Sequence, residues 1–221
     1  MTRHLDREIE RLKEGVLGLS ALVEESVYRA IRAVEECDPA LAQLVIDEDT
    51  TIDQREVLVE EECLKILALY QPVAIDLRFL VAILKLNSDL ERIGDLAGNI
   101  ASRAKGLAAL PRPTEPIDFG PMFAAAKGML RGALASLVEL DTKRALEVIR
   151  SDEALDDLNR ANYRAIKQLI KDNPNDLDPL LHYLSVSRNL ERIGDHCTNI
   201  AEDVVYMMEG KIVRHRVDEA W

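Results

Sequence analysis

Aromatic residues make up only 4% of this 221-residue chain, and just 10 glycines and 8 prolines punctuate it. Clusters of β-branched residues and turn dipeptides are missing, which argues against a sheet. The abundant Ala, Leu, Glu, Arg and Ile suit long helices. Cysteine is scarce as well. Cys37, Cys63 and Cys197 stand apart with no C-x-x-C spacing, which argues against a disulfide framework or a thiolate zinc site and for a reducing compartment. Positive charge is in short supply: 28 Lys and Arg face 40 Asp and Glu, a net charge of −12. Such a chain is a poor candidate for nucleic acid or an anionic membrane surface. It suits cations, or a basic patch on another protein. No stretch approaches ~18 uninterrupted apolar residues, so no membrane span is expected. Met1 to Lys13 lacks the apolar run of a signal peptide, and a cytoplasmic location is the expectation.

What is present is a repeat. Leu90-Glu91-Arg92-Ile93-Gly94-Asp95 with Asn99-Ile100-Ala101 returns 100 residues later as Leu190-Glu191-Arg192-Ile193-Gly194-Asp195 with Asn199-Ile200-Ala201. Aligning residues 84–101 with 184–201 gives ten identities in eighteen positions, and the acids are among them. Residues four apart share a helix face, so Glu91 sides with Asp95, and Glu191 with Asp195.

The apolar spacing predicts six long helices. The first covers Thr2 to Glu36, with Leu5, Ile9, Leu12, Val16, Leu19, Leu22 or Val23, Val27, Ala30 and Val34 recurring every three or four residues. Asp38-Pro39 reads as a cap followed by proline at the first helical position, and helix 2 runs to about Leu69. Helix 3 follows Gln71-Pro72 and carries Val73 to about Leu107. The proline-rich stretch within residues 109–120 reads as a linker. Helix 4 covers Pro121 to Leu140, helix 5 starts after Asp141 and ends near Lys171, and helix 6 starts at a second cap-plus-proline, Asp178-Pro179. Gly210 ends it, and a basic tail, Lys211 to Arg216, follows. The expected fold is all-α: two tandem, pseudo-symmetric three-helix bundles of antiparallel helices. The first spans residues 1–108 and the second 121–221.

The repeat extends into helices 2 and 5, where Asp49-x-x-Ile52-Asp53 is echoed by Asp152-x-x-Leu155-Asp156. Counting back from the turns at ~1.5 Å per residue puts both acid pairs of each half at nearly one height. The candidate cation ligands are therefore Asp49, Asp53, Glu91 and Asp95, and in the second half Asp152, Asp156, Glu191 and Asp195. Charged residues on long helices most often form a solvated face, and that is the plainer reading. Against it, four like charges at one level repel unless a cation or basic partner relieves them. All-oxygen donors suit magnesium, manganese, calcium or ferric iron. The stripe Leu86, Leu90, Ile93, Ala97, Ile100 lies well round the helix from the acids, which places them on an outer face or in a groove. Asn87, Gly98, Asn99 and Ser102 are expected on that same face, the glycine to let something approach closely.

Helix 1 should bring Glu24 and Glu25 to the height of the first site, and Glu56 has no acidic counterpart because Asn159 stands there. His196 is a possible nitrogen ligand in the second half only. Enzyme signals are thin. The Glu-x-x-His of carboxylate di-iron enzymes is absent, as are phosphate-binding glycine loops and a nucleophile elbow. A carboxylate-ligated metalloenzyme is the alternative reading, and a plain helical scaffold a third.

Gln71-Pro72-Val73-Ala74-Ile75-Asp76-Leu77-Arg78, the two Leu-Glu-Arg-Ile-Gly-Asp copies with Asn-Ile-Ala, and Ile200-Ala201-Glu202-Asp203-Val204-Val205-Tyr206 with Gly210 closely resemble the PhoU family of phosphate-specific transport system accessory proteins. The resemblance covers essentially the whole chain. It implies paired three-helix bundles and a cytoplasmic negative regulator of phosphate uptake and of the phosphate-starvation response. The implied role is that of an adaptor, often homodimeric, between the ATPase subunit of the phosphate ABC transporter and a membrane sensor histidine kinase. It also implies metal, as iron, manganese, magnesium or zinc, on the repeated E/D-x-x-x-D motifs, which map onto the eight acids named above.

Overall fold

In a computed structural model that describes residues 2–115 and 117–210, six α-helices follow one another. They are α1 (Thr2–Glu36), α2 (Pro39–Tyr70), α3 (Ala74–Ala108), α4 (Gly120–Glu139), α5 (Thr142–Asp172) and α6 (Leu177–Glu209). The expected all-α pair of bundles is what forms, with boundaries within one residue of the sequence-based ones in most places. The basic tail from Lys211 onward lies outside the described residues.

Helix boundaries follow local chemistry. The Asp38 carboxylate accepts the backbone N–H groups of Ala40 and Leu41, with Pro39 next to it at the start of α2. Asp141 does the same for Lys143 and Arg144 at the start of α5. Each satisfies donors that the first turn leaves without partners. Asp178 does not cap α6 as the sequence suggested. A 3₁₀ turn at Pro174–Asp176 runs straight into the helix, which begins at Leu177, two residues before Pro179. Pro179 therefore lies in the first turn, where its missing N–H costs nothing. The carboxylate of Asp176 instead accepts the N–H of Thr114 at 2.7 Å and fastens the connection between halves to α6. Phe119, buried at the other end of that connection, stacks on Tyr183 with ring centroids 5.4 Å apart.

The helix-1 stripe is buried as its spacing requires: Leu12, Val16, Leu19, Val23, Val27, Ala30 and Val34. Val23 holds the inward position, while Leu22 faces outward. A two-residue connection folds α2 back along α1, a three-residue one leads into α3, and α3 packs on both. Helices α4, α5 and α6 repeat the arrangement, and α3 and α6 pack against each other at the centre. The buried apolar residues of both halves form one continuous core. Because α3 has neighbours on several sides, its buried surface is wider than one stripe and reaches Asn87 and Leu96 as well as Leu90 and Ile93.

The repeated glycine of the Leu-Glu-Arg-Ile-Gly-Asp motif marks a close approach of the neighbouring helix. A Cβ on Gly94 would lie 3.0 Å from Ile52 Cγ2, and one on Gly194 would overlap Leu155 Cδ2. The object that approaches these helices is thus the neighbouring helix, through the apolar residue set between its two aspartates. Gly98 differs, since a Cβ there would meet the Asp49 carboxyl at 3.8 Å, ordinary contact. Gly98→Ala is therefore expected to stabilise the metal-free protein by up to ~1 kcal/mol through helix propensity. Gly194→Ala is expected to destabilise it, because overpacking costs about 1–3 kcal/mol and exceeds that gain. Thermal unfolding of the two variants side by side checks the opposite signs.

Candidate metal centre

The close approach at Gly94 carries the flanking acids together. Asp49 and Asp53, one turn apart on α2, and Asp95 on α3 each offer an oxygen, and the three oxygens lie within 4.8 Å of one another. Asp49 is half-buried and its pKa is raised, first by burial and then by the Asp53 and Asp95 charges. Glu91 sits beside this trio rather than in it. Its carboxyl is pushed up by burial, by Asp95 and more weakly by Asp53, with Arg92 opposing.

Arg92 is the local counter-charge. It reaches Glu91 at 3.3 Å and Asp95 at 2.9 Å, but its side chain is 56% exposed. An ion pair so open to water contributes at most about 1 kcal/mol, so a multivalent cation can displace it. The trio, all carboxylate and backed by Gly98, fits a hard cation that takes oxygen donors. Asp49, Asp53 and Asp95 are the residues that would hold it, and Glu91 is placed to supply a further oxygen.

The second half keeps the charges at one level with a looser geometry. Burial and then Asp195 and Asp156 raise the Asp152 carboxyl, and burial followed by the same two neighbours raises Glu191. Asp195 is raised by burial and by Asp156. Asp156 is paired with Arg160 at 3.3 Å. Among the described residues, no three of these acids converge as Asp49, Asp53 and Asp95 do. The two halves are thus electrostatically alike at this level and geometrically unequal.

Several expectations about the surroundings need correction. Asn87 is buried, not on the outer face, and its Nδ2 donates to the Glu56 backbone oxygen and to Glu56 Oε1, both at 3.0 Å. Its counterpart Ser187 donates to Asn159 Oδ1 at 2.8 Å. The Glu56/Asn159 difference is therefore one side of a matched pair of changes. His196 does not turn to the second acid set. Its Nδ1 lies 2.7 Å from Asp89 Oδ1 across the α3–α6 contact, where Asn199 Nδ2 also donates to that oxygen.

Glu24 and Glu25 stay out of the first site. Tyr28 Oη donates to Glu24 at 2.8 Å, and Arg29 ties Glu25 to Glu48. Equal height was not enough, because α1 turns these acids to a different side. The remaining described acids of the motif lie where the counting put them, in the grooves between α2 and α3 and between α5 and α6.

Comparison with known proteins agrees with this architecture. A family model described as PhoU domain matches residues 16–104 and again 120–204. A phosphate-specific transport system accessory protein PhoU homolog of Aquifex aeolicus is 39% identical over 213 residues, 96% of either chain. The PhoU homolog of Pseudomonas putida is 36% identical over 220 residues, 97% of this chain and 86% of that one. The crystal structure of PhoU from Pseudomonas aeruginosa superposes with a TM-score of 0.91 at 34% identity, covering 93% of this chain and 99% of the other. With two copies of the domain in tandem and relatives matched along nearly their full length, the chain belongs to the PhoU family.

Proposed function

We propose that this protein restrains phosphate uptake and the phosphate-starvation response as a cytoplasmic adaptor. Its partners are the ATPase subunit of a phosphate ABC transporter and a sensor histidine kinase. Relatives of this length and identity are named accessory proteins of phosphate transport, and a solved relative from Streptococcus pneumoniae is described as a phosphate transport system regulatory protein. Among the described residues no helix is long and apolar enough to cross a membrane, so contact with a membrane system runs through partners. The role is regulatory rather than catalytic.

The observation that carries the metal part is the convergence of Asp49, Asp53 and Asp95 to within 4.8 Å. Asp49 and Asp53 of α2 and Asp95 of α3 would hold a cation there, whose charge would offset the repulsion among them. Such a cation also turns an acidic groove into a surface that a partner can meet without facing bare negative charge. Iron, manganese, magnesium and zinc are the candidates, and the donor set favours the harder ones. The protein acts as a homodimer in this reading.

The test is a pull-down of the transporter ATPase and of the cytoplasmic part of the kinase. Wild type, chelator-stripped protein and Asp49→Ala/Asp95→Ala are compared, alongside elemental analysis and light scattering. Wild type should retain both partners, and the other two preparations should lose most of the retention. Equal retention by all three would remove metal from docking, and failure of wild type to retain either partner would remove the adaptor.

A further inference from the structure

The groove between α5 and α6 shares the acids of its counterpart between α2 and α3 but adds arginines that the counterpart lacks. It is a cavity of about 880 Å³ into which Arg160 and Arg164 project from α5, and Arg188 and Arg192 from α6. Neutral hydrogen-bonding groups, Asn159, Tyr163 and Ser185, lie among them. The offset of 103 between α2 and α5, and of 100 between α3 and α6, identifies the equivalent positions in the first half. There Val57, Glu61 and Ser88 stand in place of Arg160, Arg164 and Arg188, and Glu60 in place of Tyr163. Only Arg192 has a basic equivalent, Arg92, which is tied to Glu91 and Asp95.

A strongly acidic chain has thus gathered arginine in one of two related grooves. Arg160 is engaged by Asp156 and Asp157, whereas Arg164, Arg188 and Arg192 make no ion pair among the described residues. Arg160 and Arg164 are four apart on one helix, as are Arg188 and Arg192 on the other, and like charges at that spacing repel. A merely solvated face would spread such charges over a convex surface. Here they converge on a concavity, and every cation is an arginine, whose planar fork matches a phosphate bidentately.

We propose that this groove binds a phosphate-bearing anion of organic polyphosphate size. A volume of about 880 Å³ is too large for one oxyanion and falls within the range of small-molecule sites. The exposed faces of Tyr163 and Leu181 offer an apolar surface to an organic portion of the ligand. Glu191 and Asp195 also line the groove, close enough for Arg188 and Arg192 to act on their carboxyls, but the proposal needs no cation on them. It therefore stands or falls separately from the metal reading.

The experiment is calorimetric titration of the full chain with ATP, with pyrophosphate and with orthophosphate, all in EDTA so that no metal bridge contributes. The variants are Arg164→Ala/Arg188→Ala, Arg164→Lys/Arg188→Lys, and Glu60→Gln/Glu61→Gln as the first-half control; circular dichroism confirms that each is folded. At least one phosphate probe should bind saturably. Its affinity should fall at least tenfold in the alanine variant, recover in part with lysine, hold steady in the control and weaken with added salt. The tightest probe identifies whether the ligand is a nucleotide or an inorganic phosphate. No saturable binding of any probe, or equal affinity in the alanine variant, overturns the proposal. So does a polyglutamate peptide that binds through these arginines where all three phosphates fail.

Discussion

Asp49→Asn/Asp95→Asn is expected to weaken manganese binding at the first groove by about a hundredfold or more, while the metal-free protein becomes more stable. Both effects come from one geometry. Loss of two of three converging carboxylates removes most of the charge that attracts the ion, and disturbing even an outer partner of a ligand costs about 10–100-fold in affinity. The amide keeps the size of the side chain and removes the mutual repulsion that, after burial, raises the Asp49 carboxyl. At a manganese concentration of ~100 times the wild-type Kd, binding stabilises a folded protein by about 2.7 kcal/mol. For a chain of this size that is a rise in Tm of roughly 5–10 °C, which the variant loses.

The opposite shift without metal separates ligand loss from structural damage. Isothermal titration and thermal scans in EDTA and in manganese supply both readings. Unchanged affinity in the variant, or a lower metal-free Tm, would refute the assignment. The equivalent change in the second half, Asp152→Asn/Asp195→Asn, should have the smaller effect on affinity, since those acids do not converge as tightly.

The same carboxylates set a pH dependence of definite sign. The pKa values of Asp49, Glu91, Asp152, Glu191 and Asp195 are all raised in the folded chain. Just above the unfolded values of about 4, the folded chain therefore binds more protons than the unfolded one. Their contribution to stability falls as pH rises from the unfolded values through the raised folded ones, and recovers as pH is lowered back through that range. Metal binding runs the other way, because the ion competes with protons for the same oxygens. Tm measured in EDTA should rise as pH is lowered through the raised carboxylate range toward about 4, and the increment from manganese should shrink over the same interval. A metal-free Tm that fell steadily over that interval would show other groups to be in control.

Leu90→Ala should cost about 2–5 kcal/mol, the usual range for emptying a fully buried leucine site, and lower Tm by roughly 5–20 °C. Leu90 is wholly buried on α3, the helix that touches α1 and α2 on one side and α6 on the other. Because the two halves share a continuous core, the damage is not confined to the first bundle. Calorimetry should show one transition, shifted as a whole, and Leu190→Ala in the second half should shift the same transition. Two resolved transitions, only one of them moved, would show that the halves unfold independently.

Much of this was legible in the chain. Asp38-Pro39 and Asp141 gave helix starts because capping is local chemistry, and the level of the acids followed from counting residues along straight rods. What escaped depended on contacts between elements far apart in sequence. Nothing near His196 indicates that Asp89, 107 residues away, will be its neighbour. Asn87 reads as a surface residue until α2 is placed over it. Asp178 read as a cap because a 3₁₀ turn that continues directly into a helix has no strong sequence mark. The arginine groove, by contrast, was readable: aligning the halves position by position sets Arg164 against Glu61 and Arg188 against Ser88.

The Asp89–His196 contact has a bearing on ancestry. Exchanging the halves in sequence turns these positions into Asn189 and Leu96, so the equivalent pair cannot form the same ion pair or hydrogen bond. Two copies of the first half set side by side would face Asp89 with leucine twice over, and two copies of the second would leave His196 with only asparagine. At this contact neither half carries both partners, so the polar link between the bundles exists only in the unlike pair.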